Sequence, residues 1–398
     1  MIFLTCFIPK QDEQDVTERA TIKPSNAVNL FQWNLLDGFS ANNVEDLSII
    51  NSLPVGIWPS EYKDFHLKGK KRIEKKYSYI EIGTFNLPVI KQISRYISTL
   101  RLLKENKDKE VLIYSTYLPY LAAATHRRLR KNTTLIITDL PEYYDLSEDQ
   151  AFIYRFARKV VARLSKYYMR KINKFVLLTE AMHKAIDVGE RPYIVMEGIT
   201  SNMTKHLVQK QPVLRTSDKS KQIIMYSGSL TLRFGILELL NAINSLERDD
   251  LEFWICGKGE GENIVKQVAE KDNRVKYLGF LSLPEVSKLQ RQATLLVNPR
   301  SPEGRYTKYS FPSKTMEYIQ SGRPVVMYKL DGIPEEYAEL VYFVEPNETL
   351  AQCLERVLDI PGETRLSRSL AAREYILQNK NASVQTQRIL KLIGVEKC

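Results

Sequence analysis

Short apolar runs alternate with longer amphipathic stretches along most of the chain. The short runs predict buried strands, and stretches whose apolar residues recur every 3 to 4 positions predict helices. In the first half the predicted strands are Ile2–Ile8, Asp46–Ile50, Glu110–Ser115, Thr134–Asp139 and Lys174–Thr179. The predicted helices between them are Ser25–Phe39, Pro88–Glu105, Leu118–Arg130 and Ala151–Tyr168. Alternation of strand and helix is typical of α/β folds with parallel sheets.

The same alternation starts again at residue 222. The strands predicted there are Gln222–Ser227, Leu251–Cys256, Val275–Leu278 and Leu295–Pro299. The helices are Leu237–Leu246, Glu262–Glu270, Pro284–Gln290, Leu350–Val357, Thr364–Ile376 and a last one near 384–394. Two tandem doubly wound domains of this kind bind ligands beyond the carboxyl ends of their strands.

The domain boundaries follow from a polar stretch without periodicity between the two halves. We predict an N-terminal Rossmann-like domain at 1–200, a linker at 201–220 and a C-terminal Rossmann-like domain at 221–380. The two domains are expected to face each other across a cleft. The last segment, 381–398, is expected to form a helix that packs back toward the N-terminal domain.

One segment of the second half, 306–326, has the pattern of a loop, a short helix and a buried strand. Ser310 or Ser313 can cap the helix, and Pro312 fits its first turn. Gly322 is expected to end it before the apolar strand begins. The free N–H groups and the positive end of the helix dipole then form a natural site for a diphosphate.

Glu317 lies about one turn inside this helix, where a carboxylate can bind two hydroxyls of a ribose. The segment therefore predicts a nucleotide-sugar site. The alternative is a capped helix that leads into a core strand, with Glu317 in solvent.

Composition sets the protein class. The 398 residues include 43% hydrophobic and 26% charged side chains, as in soluble globular proteins. The four cysteines have no Cys-x-x-Cys spacing and the four histidines are not paired, which argues against a disulfide framework and a metal site. The apolar run at 1–8 is shorter than a signal core, and no run is long enough to span a bilayer. We expect a cytoplasmic protein.

The net charge of +11 is concentrated in one predicted helix, where no acid occurs between residues 155 and 174. The cations of this stretch are Arg155, Arg158, Lys159, Arg163, Lys166, Arg170, Lys171 and Lys174. Apolar residues interleave with them at helical spacing, so this helix can lie on an anionic membrane on the acceptor side. The alternative is a surface helix with solvated charges. A second basic cluster at 68–76 is interpreted as a loop, and no nucleic-acid recognition motif is present.

Four motifs of the second half follow predicted strands. They are Tyr226-Ser-Gly-Ser-Leu230, Ile255-Cys-Gly-Lys-Gly-Glu-Gly261, Val275-Lys-Tyr-Leu-Gly279 and Leu295-Leu-Val-Asn-Pro-Arg300. Together with the segment at 306–326 they resemble the donor domain of family 4 retaining glycosyltransferases, which have the GT-B fold. The resemblance covers about 221–345. In the first half it covers the architecture, Thr138–Glu142 and Glu197–Ile199.

The resemblance implies a division of labour and a set of site residues. The C-terminal domain would hold a nucleoside diphosphate sugar and the N-terminal domain a saccharide acceptor, without a metal or other cofactor. Glu317 matches the second glutamate of the family's Glu-x7-Glu pattern, which binds ribose. The implied donor-binding residues are Gly228, Ser229, Arg233, Gly257, Lys308, Tyr309, Ser310, Phe311, Ser313, Lys314 and Glu317.

The chain departs from the family pattern at three positions. Tyr309 replaces the first glutamate of the pattern, which contacts the donor sugar, so sugar recognition must differ. Phe234 stands where a lysine is common, and Ser229 where an arginine is common. The cations that remain for the diphosphate are Arg233, Lys314 and Arg300, and the first two are the preferred catalytic candidates.

Asp139 is the third catalytic candidate and lies in the acceptor domain, where it can accept a hydrogen bond from a hydroxyl or merely cap a turn. It follows Thr138, where many family members have a histidine. Glu197 can also reach the cleft or can belong to a turn.

The function that we expect is retaining transfer of a sugar to a lipid-linked saccharide at the inner membrane face, as in capsule or exopolysaccharide assembly. Three alternatives stay open. One is a sugar-nucleotide epimerase of the same fold. Another is a glycosyltransferase-like partner subunit without activity, which Tyr309 and Phe234 make credible. The least favoured is a nucleic-acid-binding protein, because the basic excess is local.

Overall fold

The computed structural model describes residues 1–21, 26–74, 76–106, 108–129, 132–140, 152–200, 221–304 and 306–395, with only the backbone at 152–158. The chain divides into two compact units. The N-terminal unit comprises Met1–Ile199 and Ala382–Cys398, and the C-terminal unit comprises Thr200–Asn381. The predicted linker at 201–220 lies outside the described residues. No helix in the described ranges combines the length and the apolar character that a bilayer span requires.

The N-terminal unit is built around a mostly parallel sheet. Its strands are β1 (Ile2–Thr5), β2 (Ser48–Asn51), β3 (His66–Leu67), β4 (Lys70–Glu74), β5 (Tyr77–Glu81), β6 (Thr84–Phe85), β7 (Val111–Tyr114), β8 (Thr133–Ile137), β9 (Lys174–Leu177) and β10 (Tyr193–Val195). The order in the sheet is β10-β9-β8-β7-β1-β2-β5-β4, and β3 pairs with β6 separately. Its helices are α1 (Glu13–Arg19), α2 (Asn26–Ala41), α3 (Ile90–Lys104), α4 (Leu118–Ala124), α5 (Phe152–Met169) and α6 (Met182–Ala185).

The C-terminal unit contains a second sheet, in which every pair is parallel. Its strands are β11 (Gln222–Ser227), β12 (Leu251–Cys256), β13 (Val275–Tyr277), β14 (Leu295–Asn298), β15 (Val325–Tyr328) and β16 (Tyr342–Val344), in the order β13-β12-β11-β14-β15-β16. Its helices are α7 (Ile236–Ser245), α8 (Glu262–Lys271), α9 (Leu283–Gln290), α10 (Ser313–Gln320), α11 (Leu350–Asp359) and α12 (Gly362–Asn379).

Both units have the doubly wound arrangement that the strand and helix pattern predicts. In the C-terminal sheet, buried apolar residues of the strands and of α7 and α11 form one continuous core. Strands that are covered on both faces need nearly continuous apolar sequence, which is the pattern of β11 and β14. The predicted strands run one to three residues too long at their carboxyl ends in several cases, because the chain turns away from the sheet there to form loops.

The basic cluster at 68–76 is not the predicted loop. Within its described part, β4 pairs antiparallel with β5 at the edge of the N-terminal sheet. Lysines are common on edge strands, because a charged edge resists pairing with another chain. Arg72 lies between the carboxylates of Asp12 and Glu81, and its Nε is 2.8 Å from the Glu81 carboxylate. The alternation of Tyr77, Tyr79 and Glu81 on the inner face was the signal for a strand.

The last helix, α13 (Ala382–Ile393), packs on α2 within the N-terminal unit. Gly38 of α2 allows a close approach, since a Cβ there would lie 2.2 Å from the carbonyl oxygen of Ala382 and 2.6 Å from Thr386 Oγ1. The amide of Asn42 donates to Thr386 Oγ1 over 2.8 Å. Close backbone packing, partly buried hydrogen bonds and apolar contacts therefore hold the two helices together.

We predict that Gly38→Ala lowers the free energy of unfolding by about 1–3 kcal/mol, because the methyl group must push α13 away from α2. Chemical denaturation would measure the loss. Gly362→Ala is the control, since a Cβ there meets nothing closer than 3.8 Å. Equal stability of the two variants would contradict the close packing.

Candidate functional site

The C-terminal sheet changes its direction of growth between β11 and β14. From β11 the chain proceeds outward to β12 and β13, and from β14 it proceeds outward on the other side to β15 and β16. Loops that follow β11 and β14 therefore diverge and leave a crevice at the carboxyl ends of these strands. The loops after these two strands carry Gly228 and Arg300, and α10 begins nearby in the chain that leads from β14 to β15.

The turn after β11 is fixed by backbone contacts. Gly228 N–H donates to the Cys256 carbonyl over 3.0 Å, and Leu230 N–H donates to the Lys258 carbonyl over 2.9 Å. The Tyr226 hydroxyl donates to the Ser229 carbonyl over 2.7 Å. Ser229 itself is exposed. Hydrogen bonds with the end of β12, with the loop after it and with Tyr226 thus fix the turn, and the exposed Ser229 on its outer side is available to a ligand.

Gly257 belongs to this turn through packing. It has a φ of +146°, and a Cβ there would lie 1.7 Å from the carbonyl oxygen of Gly228. A Cβ at Gly259 would lie 2.6 Å from the carbonyl carbon of Leu230. These glycines are required because one backbone lies directly against another. Burial raises the pKa of the neighbouring Cys256 thiol to about 11, so the thiol stays protonated at neutral pH.

The helix at the centre of the site, α10, begins one residue after Pro312. Pro312 is the N-cap residue and no side chain caps the helix, so the prediction of a serine cap was wrong. Ser310 instead accepts a hydrogen bond from Arg300 Nη2 over 2.8 Å, and Ser313 is exposed in the first turn. Gly322 follows the helix with a φ of +75°, as predicted. The Thr315 N–H donates to the Pro312 carbonyl over 2.9 Å, and among the described residues no side chain caps the other N–H groups of this first turn, where an anion can bind.

Glu317 is held from two sides. Lys314 Nζ lies 2.8 Å from Glu317 Oε2, and the amide of Gln290 donates to Oε1 over 2.7 Å. The side chains of Lys314 and Glu317 are about one third exposed, at 31% and 32%. The carboxylate is therefore fixed by the protein and still accessible to a ligand.

Behind Glu317, Tyr318 ties α10 to the end of β11. Its hydroxyl accepts a hydrogen bond from Ser227 N–H over 2.9 Å and donates to the Ser227 carbonyl over 3.0 Å. Burial raises the pKa of the Tyr318 hydroxyl well above its usual range, so this proton is retained. The start of α10 and the turn at Gly228 are consequently parts of one rigid framework.

Arg300 lies between two aromatic rings. Its guanidinium carbon is 5.3 Å from the ring centre of Phe234 and 4.8 Å from that of Tyr306. The exposed Arg233 also contacts Phe234, with its guanidinium carbon 5.0 Å from the centre of that ring. Stacking of this kind favours guanidinium over ammonium. Two cations thus lie near the position where the family pattern has a lysine.

The other predicted donor residues differ in accessibility. Lys308 is exposed and Tyr309 is half-buried, and both belong to a short 3-10 helix at Thr307–Tyr309. Phe311 is buried and makes an edge contact with Tyr337, with ring centres 5.2 Å apart. Phe311 is therefore a packing residue that anchors the loop before α10.

The N-terminal unit carries the remaining predicted residues. Asp139 is half-buried just beyond the end of β8, and its neighbour Thr138 lies 3.3 Å from the Tyr114 hydroxyl. Glu197 is buried beyond β10. The structure places both acids after the carboxyl ends of parallel strands, where ligands of such sheets bind.

On α5, the exposed cations are Lys159, Arg163 and Lys166, and Arg170 follows the helix. The side chains of Arg155 and Arg158 lie outside the described residues. Within the described part of the chain, no group of three His, Cys, Asp or Glu side chains is placed to hold a metal ion.

The sequence interpretation missed Gln290, Ser227 and Tyr318. Gln290 was detectable in principle, since it lies four residues after Val286 on the buried face of α9, where an apolar residue is expected. A polar side chain on such a face needs buried partners. Ser227 and Tyr318 gave no comparable signal, because their pairing depends on the tertiary contact between β11 and α10.

We predict that Gly257→Ala destabilises the protein by more than Gly279→Ala and abolishes binding of the nucleotide that the sequence pattern leads us to expect. Both glycines have positive φ, so both variants incur backbone strain of about 1–3 kcal/mol. A Cβ at Gly279 meets no atom within 4 Å, whereas at Gly257 it collides with the turn. Urea denaturation and calorimetric titration would measure the two effects, and equal losses would contradict the packing role of Gly257.

Comparison with known proteins agrees with this geometry. Residues 221–359 match the family model described as "Glycosyl transferases group 1". Comparison with curated protein sequences gives no match.

Solved structures show the fold of the whole chain. Sucrose-phosphate synthase from Thermosynechococcus elongatus is 13% identical with a TM-score of 0.67, covering 99% of this chain and 98% of that one. WaaG, a glycosyltransferase involved in lipopolysaccharide biosynthesis, is 13% identical with a TM-score of 0.59 and 99% coverage of both chains. Anabaena HepE in complex with UDP is 14% identical with a TM-score of 0.60 and 99% coverage of both chains. The chain has the GT-B fold, with two Rossmann-like domains, and the match to the group 1 family model lies within its C-terminal unit.

Proposed function

We propose that the protein is a retaining glycosyltransferase that moves a sugar from a nucleoside diphosphate sugar to the hydroxyl of a saccharide acceptor. The observation that carries the proposal is the position of Glu317. Its accessible carboxylate lies one turn behind the uncapped start of α10, at the crevice between β11 and β14. A diphosphate at the helix start and a ribose at Glu317 fit this arrangement. UDP in the structurally similar HepE supports uracil as the base.

In the proposed mechanism, stabilisation of the departing diphosphate drives bond cleavage. The first-turn N–H groups of α10 and the positive end of its dipole would contact the phosphates. Lys314 in the same turn and Arg233 near the turn after β11 would neutralise the charge that develops. The acceptor attacks from the face that the leaving group occupies, and a phosphate oxygen takes the proton of the acceptor hydroxyl. We therefore propose a reaction that requires no metal.

Glu317→Ala should remove the stabilisation that UDP gives to the wild-type protein in a thermal-shift experiment. The ribose hydroxyls lose a charged acceptor, which typically lowers affinity about tenfold or more. Glu270→Ala on the exposed surface of α8 is the matched control and should respond to UDP like the wild type.

An unchanged UDP response of Glu317→Ala would contradict the ribose assignment. A screen of other nucleoside diphosphates and their sugars would identify the preferred donor. Product formed from the donor alone would indicate an epimerase, and nucleotide binding without turnover on any acceptor would indicate a partner subunit.

We further propose that the acceptor is lipid-linked, in cell-surface polysaccharide assembly such as that of capsule or exopolysaccharide, and that the protein contacts the inner membrane face from the cytoplasm. The support is the surface of α5, where the basic side chains lie beside exposed apolar ones. Val161 is 47% exposed, Leu164 41% and Tyr167 54%. Exposed apolar residues among cations are typical of helices that lie in a membrane interface.

A second helix adds to this surface. α3 packs on α4, and α4 packs on α5. The side chains of Ile90, Ile93 and Ile97 on α3 are 47%, 52% and 57% exposed, at helical spacing along one face. An exposed apolar row of this length marks an interaction surface, and a bilayer interface is a partner of matching chemistry.

The protein should float with vesicles that contain anionic phospholipid and remain unbound with neutral vesicles. Simultaneous charge reversal of Lys159, Arg163 and Lys166 to Glu should reduce the bound fraction more than tenfold, because each cation near such a surface contributes about 1 kcal/mol. The same reversal at the exposed Lys271, Lys276 and Lys288 of the C-terminal unit is the control. Failure of the wild type to float would remove the physical basis of the membrane proposal.

A further inference from the structure

A buried amide lies beside the proposed ribose site. Gln290 is the last residue of α9 and is only 2% exposed. Its side-chain nitrogen is 2.9 Å from Ser227 Oγ and 2.7 Å from Glu317 Oε1. The amide therefore joins the end of β11 to the exposed carboxylate on α10.

Chemistry fixes the orientation of this amide. An ionised carboxylate only accepts hydrogen bonds, so the NH2 group of Gln290 must face Glu317. Its two N–H bonds match its two contacts, one to Glu317 and one to Ser227. The reverse orientation would place the amide oxygen against the carboxylate, which is repulsive. Gln290 is thus committed to Glu317 by the donors and acceptors that surround it.

The partner on the other side of the amide is rigid. Ser227 is buried, and its backbone exchanges two hydrogen bonds with the Tyr318 hydroxyl, at 2.9 and 3.0 Å. Lys314, which contacts the second oxygen of Glu317, is instead about one third exposed, and its long side chain is flexible. Of the two contacts to the Glu317 carboxylate, the one from Gln290 therefore fixes its orientation.

We propose that Gln290 is a positioning residue that presents the Glu317 carboxylate to the two adjacent hydroxyls of the donor ribose. The inference rests on the proposed function. A carboxylate has about four acceptor sites on its two oxygens. Gln290 and Lys314 use one site on each oxygen, which leaves one on each for the 2′ and 3′ hydroxyls. Without Gln290 the carboxylate can rotate, and the paired geometry is lost.

The predicted consequence is a loss of discrimination between UDP and 2′-deoxy-UDP. In the wild type, UDP should bind about tenfold more tightly than the deoxy analogue, as expected for a hydrogen bond to a charged group. Gln290→Met keeps the approximate shape of the side chain and removes both donors. It should bring the affinity ratio of the two nucleotides close to one, with the affinity for 2′-deoxy-UDP changed less than about twofold.

Isothermal titration calorimetry of both nucleotides with the full chain measures this ratio. Gln267→Met on the exposed surface of α8 is the matched control and should keep the wild-type ratio. If Gln290→Met lowers the melting temperature and weakens both nucleotides equally, Gln290 has a structural role only and the inference is wrong.

A second variant protects the test against misfolding. Gln290→Glu preserves the size of the side chain and introduces a carboxyl group beside Glu317. Two adjacent carboxyl groups share a proton more readily as pH falls, and the protonated one can donate to the other. The affinity ratio of this variant should therefore rise as the pH falls from about 8 to about 5. A ratio that does not change with pH would contradict the positioning role.

The outcomes also separate this inference from the function on which it rests. If the wild type binds no nucleoside diphosphate, the proposed function and the inference are both wrong. If Glu317→Gln abolishes the discrimination between UDP and 2′-deoxy-UDP and Gln290→Met leaves it intact, the ribose site stands and only the role of Gln290 is overturned.

Discussion

The reversal of sheet growth between β11 and β14 is the constraint on which the candidate donor site depends. Parallel strands that grow outward in two directions leave their first loops on opposite sides of one point. The crevice follows from the strand order alone, so it requires no cavity in the hydrophobic core. The residues that fill its edges, Gly228, Arg300 and the start of α10, then decide which ligand it accepts.

The crevice is rigid because backbone segments and buried side chains at its edge are in direct contact. The carbonyl of Gly228 lies where a side chain at Gly257 would begin, and the hydroxyl of Tyr318 closes two hydrogen bonds with Ser227. A site that binds phosphate through backbone N–H groups gains little unless those groups are already aligned. Preorganisation by glycine packing and buried tyrosine supplies that alignment without any charged residue.

The buried strands of the fold could be predicted from local sequence pattern, whereas an edge hairpin could not. The strands β11 and β12 match the predicted bounds residue for residue, because each is an apolar run bounded by polar residues or glycine. The hairpin of β4 and β5 was missed, since its lysines face solvent at a sheet edge and resemble a loop.

In the candidate site too, features set by local sequence could be predicted and features set by tertiary contacts could not. The position of Glu317 one turn inside a helix could be predicted from spacing, whereas the cap could not. Pro312 occupies the N-cap position that a serine was expected to fill, because the loop before α10 is anchored instead through Phe311 and Tyr337. Gln290 and Ser227 escaped detection because they are 63 positions apart in the chain and meet only through the sheet.

The substitution at Phe234 is best understood together with Arg300. An aromatic ring where a lysine is common removes one charge from the turn after β11, yet it provides a surface on which a guanidinium can stack. Arg300 arrives at that surface from the end of β14 and also binds Ser310, in the loop that leads into α10. A cation delivered from the neighbouring strand has a different direction of approach and a planar, forked set of donors. The chain thus retains positive charge at the crevice while its geometry changes. Ser310, which Arg300 binds, directly follows Tyr309, the residue that departs from the glutamate of the resembled family pattern.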